Sequence, residues 1–159
     1  MARAGEECEL SESVNVDCTA EEAWSLFTNN RTVTAWAPHV VQVACEHDTI
    51  DEGVVRTSTI QVDGKEGQTV EHCTLANKPH RLDYNIVEET FGFAHMLTRY
   101  GFSVVFDAND TNTTVTMHTR FTPKKIFARV MTSASTKQTL TTMMRETLAG
   151  FKQHAESSR

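Results

Sequence analysis

The dipeptide Asp63-Gly64 constrains this chain most, because it stands between two segments whose side chains alternate in character. A two-residue Asp-Gly turn accepts the positive φ angles a tight hairpin needs, and it fixes which residues of the two strands share a face. On the incoming side Val54, Arg56, Ser58, Ile60 and Val62 share one face, and Val55, Thr57, Thr59 and Gln61 share the other. The first set is the more apolar and is expected to point inward. Crossing the turn puts Thr69, Glu71, Cys73 and Leu75 on that inner face and leaves Gln68, Val70, His72 and Thr74 outside. Arg56 and Glu71 then meet inside, directly opposite each other. An unpaired buried charge is strongly unfavourable, so the two form a structural ion pair, reach water, or face a cavity that holds a polar ligand.

The same alternation extends in both directions. Leu10, Glu12, Val14 and Val16 alternate with polar residues and predict a first strand, and six more β segments follow between Val40 and Phe121. Turn signals at Asp51-Glu52-Gly53, Asn77-Lys78-Pro79 and Asn109-Asp110-Thr111-Asn112 divide them. Leu82, Tyr84 and Ile86 are expected inside, as are Tyr100, Phe102, Val104 and Phe106, and then Val115, Met117, Thr119 and Phe121. Between the first two strands Thr19-Ala20-Glu21-Glu22 forms a capping box ahead of Ala23, Trp24, Leu26 and Phe27, which predicts a short helix ending near Asn29-Asn30. Val33 and Trp36 lead into Pro38, which stops a second short helix.

Beyond Pro123 there is no further proline, and Phe127, Val130, Met131, Leu140, Met143, Met144, Leu148 and Phe151 recur at helical spacing. A long C-terminal helix is expected, with a weak middle at Thr132-Ser133-Ala134-Ser135-Thr136 and an uncertain last turn after Gly150. Trp24, Leu26, Phe27 and Val130 are expected to fill the core. The fold class is therefore α+β: a curved seven-stranded antiparallel sheet around a long helix.

At 159 residues, 39% hydrophobic and 23% charged, the chain suits one domain over residues 1–159, with residues 1–8 and 155–159 as frayed ends. No apolar run reaches the length of a membrane span, and the stretch Met1-Ala2-Arg3-Ala4-Gly5-Glu6-Glu7 lacks the apolar character of a secretory signal, so the cytoplasm is the expected location. A net charge of −6 with scattered Lys and Arg argues against a nucleic-acid partner. Cys8, Cys18, Cys45 and Cys73 form no C-x-x-C pair and are expected to be reduced thiols. The seven histidines show no metal-ligand spacing, so neither a metal nor another cofactor is expected.

Several segments together resemble a known family. Val14-x-Val16-x-Cys18-Thr19-Ala20-Glu21-Glu22-Ala23-Trp24-x-Leu26-Phe27 resembles the opening of the START-like, helix-grip superfamily, in its polyketide cyclase/dehydrase branch. Trp36-x-Pro38-x-Val40, Lys78-Pro79-His80-Arg81-Leu82-x-Tyr84 and Thr114-Val115-Thr116-Met117-x-Thr119-x-Phe121-x-Pro123 resemble later parts of the same pattern. The resemblance implies a cavity between sheet and C-terminal helix for polyketides, lipids or other hydrophobic metabolites, and names no reaction.

The partner expected is therefore a small hydrophobic or aromatic molecule, and no sequence feature fixes an oligomeric state. In a binding protein, Trp36, Phe102, Met117, Phe127, Met131 and Met144 would supply apolar wall, and Arg56, Glu71, Tyr84 or Tyr100 would orient a polar end. In a cyclase/dehydratase, Arg56 would stabilise a developing enolate and Glu71 or Tyr84 would move a proton. His95 is the interior histidine expected, since parity puts His72 and His118 outside. A protein-interaction subunit is the third alternative.

Overall fold

In the computed structural model, which describes residues 5–157, Asp63 and Gly64 both adopt positive φ, 50° and 76°. Val62 pairs with Lys65 across that turn, and Arg56 pairs with Glu71, as the parity requires. Of the ends expected to fray, residues 1–4 and 158–159 lie outside the described residues, whereas Cys8 opens a strand and residues 155–157 are helical.

Seven antiparallel strands form the sheet: β1 (Cys8–Val16), β2 (Val40–Ala44), β3 (Val55–Val62), β4 (Lys65–Asn77), β5 (Arg81–Glu89), β6 (Leu97–Ala108) and β7 (Thr113–Pro123). Their spatial order is β1-β7-β6-β5-β4-β3-β2. β2 to β7 is thus a continuous meander that returns to β1, and the helices α1 (Ala20–Phe27) and α2 (Val33–Trp36) carry the chain from one sheet edge to the other. Thr19 caps α1 as expected: its hydroxyl accepts from the Glu22 N–H at 3.2 Å, and the Glu22 carboxylate accepts from the Thr19 N–H at 2.9 Å.

The C-terminal segment breaks where its propensity is weakest. A 3-10 turn (Lys125–Phe127) and the short α3 (Ala128–Met131) precede α4 (Ala134–Ser157), with the interruption at Thr132-Ser133. That break corrects one expectation. α3 does not continue the phase of α4, so Val130 leaves the apolar stripe and is 58% exposed instead of filling the core. The last turn past Gly150 is helical through Ser157, and Ala155 is buried. A Cβ at Gly150 would lie 2.0 Å from the Trp36 carbonyl oxygen, so the glycine serves the close approach of α4 to α2.

A second correction concerns Leu75. A bulge between Cys73 and Leu75 shifts the register of β4 against β5, so Ala76 packs on the core and Leu75 is left half-buried outside it. Trp24 and Phe27 are buried and Leu26 packs against them, as expected. Arg145 pairs with Glu12 at 3.1 Å and Lys152 Nζ donates to the Asn15 carbonyl oxygen at 2.6 Å, both contacts joining α4 to β1. Among the described residues no helix is long and apolar enough to cross a membrane.

Candidate ligand site

The hairpin delivers two opposite charges to the inner face, and the structure pairs them. Arg56 and Glu71 are 7% and 6% exposed. Arg56 Nη2 donates to Glu71 Oε1 at 3.2 Å, Arg56 Nη1 donates to Asn30 Oδ1 at 3.1 Å, and the Ser58 hydroxyl donates to Glu71 Oε2 at 2.5 Å. The guanidinium carbon sits 5.3 Å from the centre of the Tyr84 ring, which stacks on Phe102 at 4.5 Å. Burial works against the Arg56 charge, but Glu71 first and then Tyr84 outweigh it and hold the guanidinium firmly protonated. Burial also pushes the Tyr84 phenol well above its usual range, with Arg56 pulling the other way. The Tyr100 phenol is pushed up to about 12, by burial and then by the charges of Glu71 and Glu89. Burial raises the Cys73 thiol to about 11.

Not all of this polar belt is satisfied. Arg56 Nε, Thr69 Oγ1 and Tyr84 Oη are buried with no hydrogen-bond partner among the described residues, as is Trp36 Nε1. Each such group costs about 1–3 kcal/mol, so each marks a hydrogen bond that the fold leaves unmade.

A cavity of about 170 Å³ is lined by Phe93, Leu97, Tyr100, Phe121, Met131 and Leu140, with no residue of the belt among its walls. Ser135 and Thr139, both exposed, form its rim on α4. A second, more polar space of about 550 Å³ opens where β5 and β6 part beyond the Asn85–Gly101 pair, with Tyr84, Ile86, Arg99, Tyr100 and Arg120 on its walls. Tyr100 borders both spaces.

Residues 7–156 match the family described as polyketide cyclase / dehydrase and lipid transport. The chain belongs to this family. Its fold is similar to that of a START superfamily protein from Mycobacterium smegmatis, with a TM-score of 0.75 at 11% identity over 95% of this chain and 99% of that one. The Zhui aromatase/cyclase from Streptomyces sp. R1128 is similar at a TM-score of 0.75 and 14% identity, over 95% of this chain and 94% of that one. A norcoclaurine synthase point mutant from Thalictrum, solved with a transition-state analogue, is similar at a TM-score of 0.75 and 12% identity, over 96% of each chain. No curated protein sequence matches the chain. Likeness at this level of identity speaks for the helix-grip fold.

Within this family member the residues singled out from sequence fall into three places. Arg56, Glu71, Tyr84 and Phe102 come together in the belt. Tyr100 and Met131 line the smaller cavity, and Phe127 packs against the same cluster. Trp36, by contrast, is packed between Phe27 and Phe151 at 5.0 and 5.1 Å, Met117 lies against the main core, and Met144 is buried, accepting a contact from Thr119 Oγ1 at 3.4 Å.

The histidines depart from expectation at one position. His95 lies in a 3-10 turn and is exposed, while Phe93 of the same turn packs against the small cluster. His118 stays on the outer face, where its Nδ1 meets both Ser11 Oγ at 2.7 Å and Glu9 Oε1 at 2.9 Å. A Ser-His-acid relay needs the acid and the nucleophile on different ring nitrogens, so this grouping is no hydrolytic triad. Ser58 and Thr69 lie on the inner face that parity predicts, and nothing in their residue type marks them as part of a site. Asn30 gave no signal, since it reaches Arg56 from a loop 26 residues away.

Proposed function

We propose that the protein binds a small hydrophobic or aromatic molecule between the sheet and α4, with a polar end at Arg56, Thr69 and Tyr84. The observation that carries this reading is the set of unpartnered Arg56 Nε, Thr69 Oγ1 and Tyr84 Oη buried on the inner face of the sheet. A ligand carbonyl or hydroxyl oxygen that accepts from Arg56 Nε and Tyr84 would recover hydrogen bonds the fold leaves unmade. Because Glu71 already balances Arg56, the belt suits a neutral polar group better than a second carboxylate. The smaller cavity is close in size to the roughly 150 Å³ apolar cavities that accept benzene and below the ~300–1,000 Å³ of drug-sized sites. One ring or a short acyl chain suits it. Thiols at Cys8, Cys18, Cys45 and Cys73 that form no disulfide suit a reducing compartment such as the cytoplasm.

Aldol cyclisation or dehydration is the second reading, favoured by the placement of the Arg56 guanidinium against the Tyr84 ring. It ranks second because His95 is exposed and Glu71 already accepts from Arg56 and Ser58, which leaves the belt without a free base. Native mass spectrometry with one-ring aromatic ketones, polyketide-like compounds and fatty acids separates the readings. Bound ligand of unchanged mass is expected. Loss of one water from a bound polyketide-like compound, abolished by Glu71→Gln, would establish the cyclase/dehydratase reading instead, and absence of binding would favour an interaction subunit.

A further inference from the structure

Ile126 and Val130 are the most exposed large apolar side chains among the described residues, at 81% and 58%. They stand four residues apart on the 3-10 turn and α3, while their neighbours Phe127 and Met131 turn inward to the small cluster. Lys124, Lys125 and Arg129 are exposed beside them. The surrounding sequence is equally one-sided. No Asp or Glu occurs between Asp110 and Glu146, whereas Arg120, Lys124, Lys125, Arg129, Lys137 and Arg145 all fall there, in a chain whose net charge is −6.

We propose that residues 124–131 dock the protein on an anionic membrane surface, with Ile126 and Val130 entering the interface and Lys124, Lys125 and Arg129 meeting headgroup charge. Two aliphatic tips ringed by long cationic side chains match the boundary between acyl chains and headgroups, where the stems of Lys and Arg lie along apolar surface and their charges reach outward. Attraction of juxtaposed Lys and Arg to an anionic leaflet is local, within about a Debye length. The rest of this acidic protein is repelled by the same surface, so the patch also sets the orientation. That orientation matters, because Met131 of the same segment lines the apolar cavity and Ser135 and Thr139 form its rim. Docking would place the cavity mouth at the phase where apolar molecules dissolve. The acids nearest in register, Glu6 and Glu7, precede Cys8, which pairs with Phe121, and Glu7 borders the groove of Arg99 and Arg120. This proposal concerns the ligand-free protein and stands apart from the ligand reading.

Co-sedimentation with vesicles of phosphatidylcholine alone, or with phosphatidylserine added, tests it. Binding is expected to the mixed vesicles at low ionic strength, to fade as salt is raised, and to be weak on phosphatidylcholine alone. Ile126→Asp and the pair Lys124→Glu/Lys125→Glu are each expected to weaken it by about tenfold or more, since one cation near such a surface contributes roughly a fivefold factor. Both substitutions are at exposed positions, and circular dichroism of the variants confirms that the fold is retained. No binding to the mixed vesicles, or binding that neither variant alters, would overturn the proposal. Binding to soluble polyglutamate but not to vesicles would overturn it in favour of an acidic protein partner.

Discussion

At one end of the interior Trp24, Phe27, Trp36, Phe106 and Phe151 touch one another with ring centroids 5.0 to 5.7 Å apart. At the other, Leu97, Phe121, Met131 and Leu140 leave a cavity of about 170 Å³. Large rings in edge-to-face or tilted contact have few alternative rotamers and lock α1, α2 and α4 against the sheet. The other end relies on Met131 and Leu140, from the two sides of a helix break, and such walls can move to admit a guest. The buried belt of Arg56, Glu71 and Tyr84 joins the two: Tyr84 belongs to the large cluster, and Tyr100 of the small one feels the charge of Glu71. The aromatic end is therefore expected to carry more of the fold's stability than the end with the cavity.

Substitutions should expose this difference. Phe151→Ala empties the centre of the closed end and is expected to cost about 3–5 kcal/mol in urea unfolding. Leu140→Ala, half-buried beside space that already exists, should cost only about 1–2 kcal/mol. Equal losses would mean the two ends are packed alike.

Arg56→Ala strands the Glu71 carboxylate and is expected to destabilise by about 3–5 kcal/mol, whereas the pair Arg56→Met/Glu71→Met should recover most of that loss. If the single and double variants are equally unstable, the ion pair is not what Arg56 contributes. Gly150→Ala should cost roughly 1–3 kcal/mol through overpacking against the Trp36 carbonyl, and should leave ligand binding at the open end intact.

The smallest effect is on alkaline titration. The chain contains 2 tyrosines, and burial raises both Tyr84 and Tyr100. In the folded protein, tyrosinate absorbance should stay low near pH 10 and rise toward 12, while the unfolded chain titrates near 10. A phenol raised in the folded state keeps its proton where the unfolded chain loses it, so stability is unaffected below about pH 10 and falls as pH climbs beyond it. An ordinary tyrosine titration in the native protein would show that the belt is wet.

Much of the fold could be read from period-two alternation pinned by one turn, because the parity of β3 and β4 survives any error in strand length. Arg56 opposite Glu71 followed from that parity alone. Leu75 did not, since a bulge inserts one residue and reverses inside and outside beyond it, and no residue type marks the bulge. Val130 departs from its spacing for a related reason: helical spacing carries across a break only if the axis does. The belt was half visible, its strand residues falling to parity while Asn30 came from a loop with no period. The cavity wall at Phe93 and Leu97 was hidden because the segment around Gly92 follows neither periodicity.

The most direct test follows the methionine methyl groups by NMR as a one-ring aromatic ketone is added. The account predicts a saturable shift at Met131, with Tyr84→Phe weakening the affinity and leaving the fold unchanged. Saturable binding that leaves Met131 unmoved, or an affinity indifferent to both Tyr84→Phe and Arg56→Met/Glu71→Met, would contradict a ligand site between the sheet and α4.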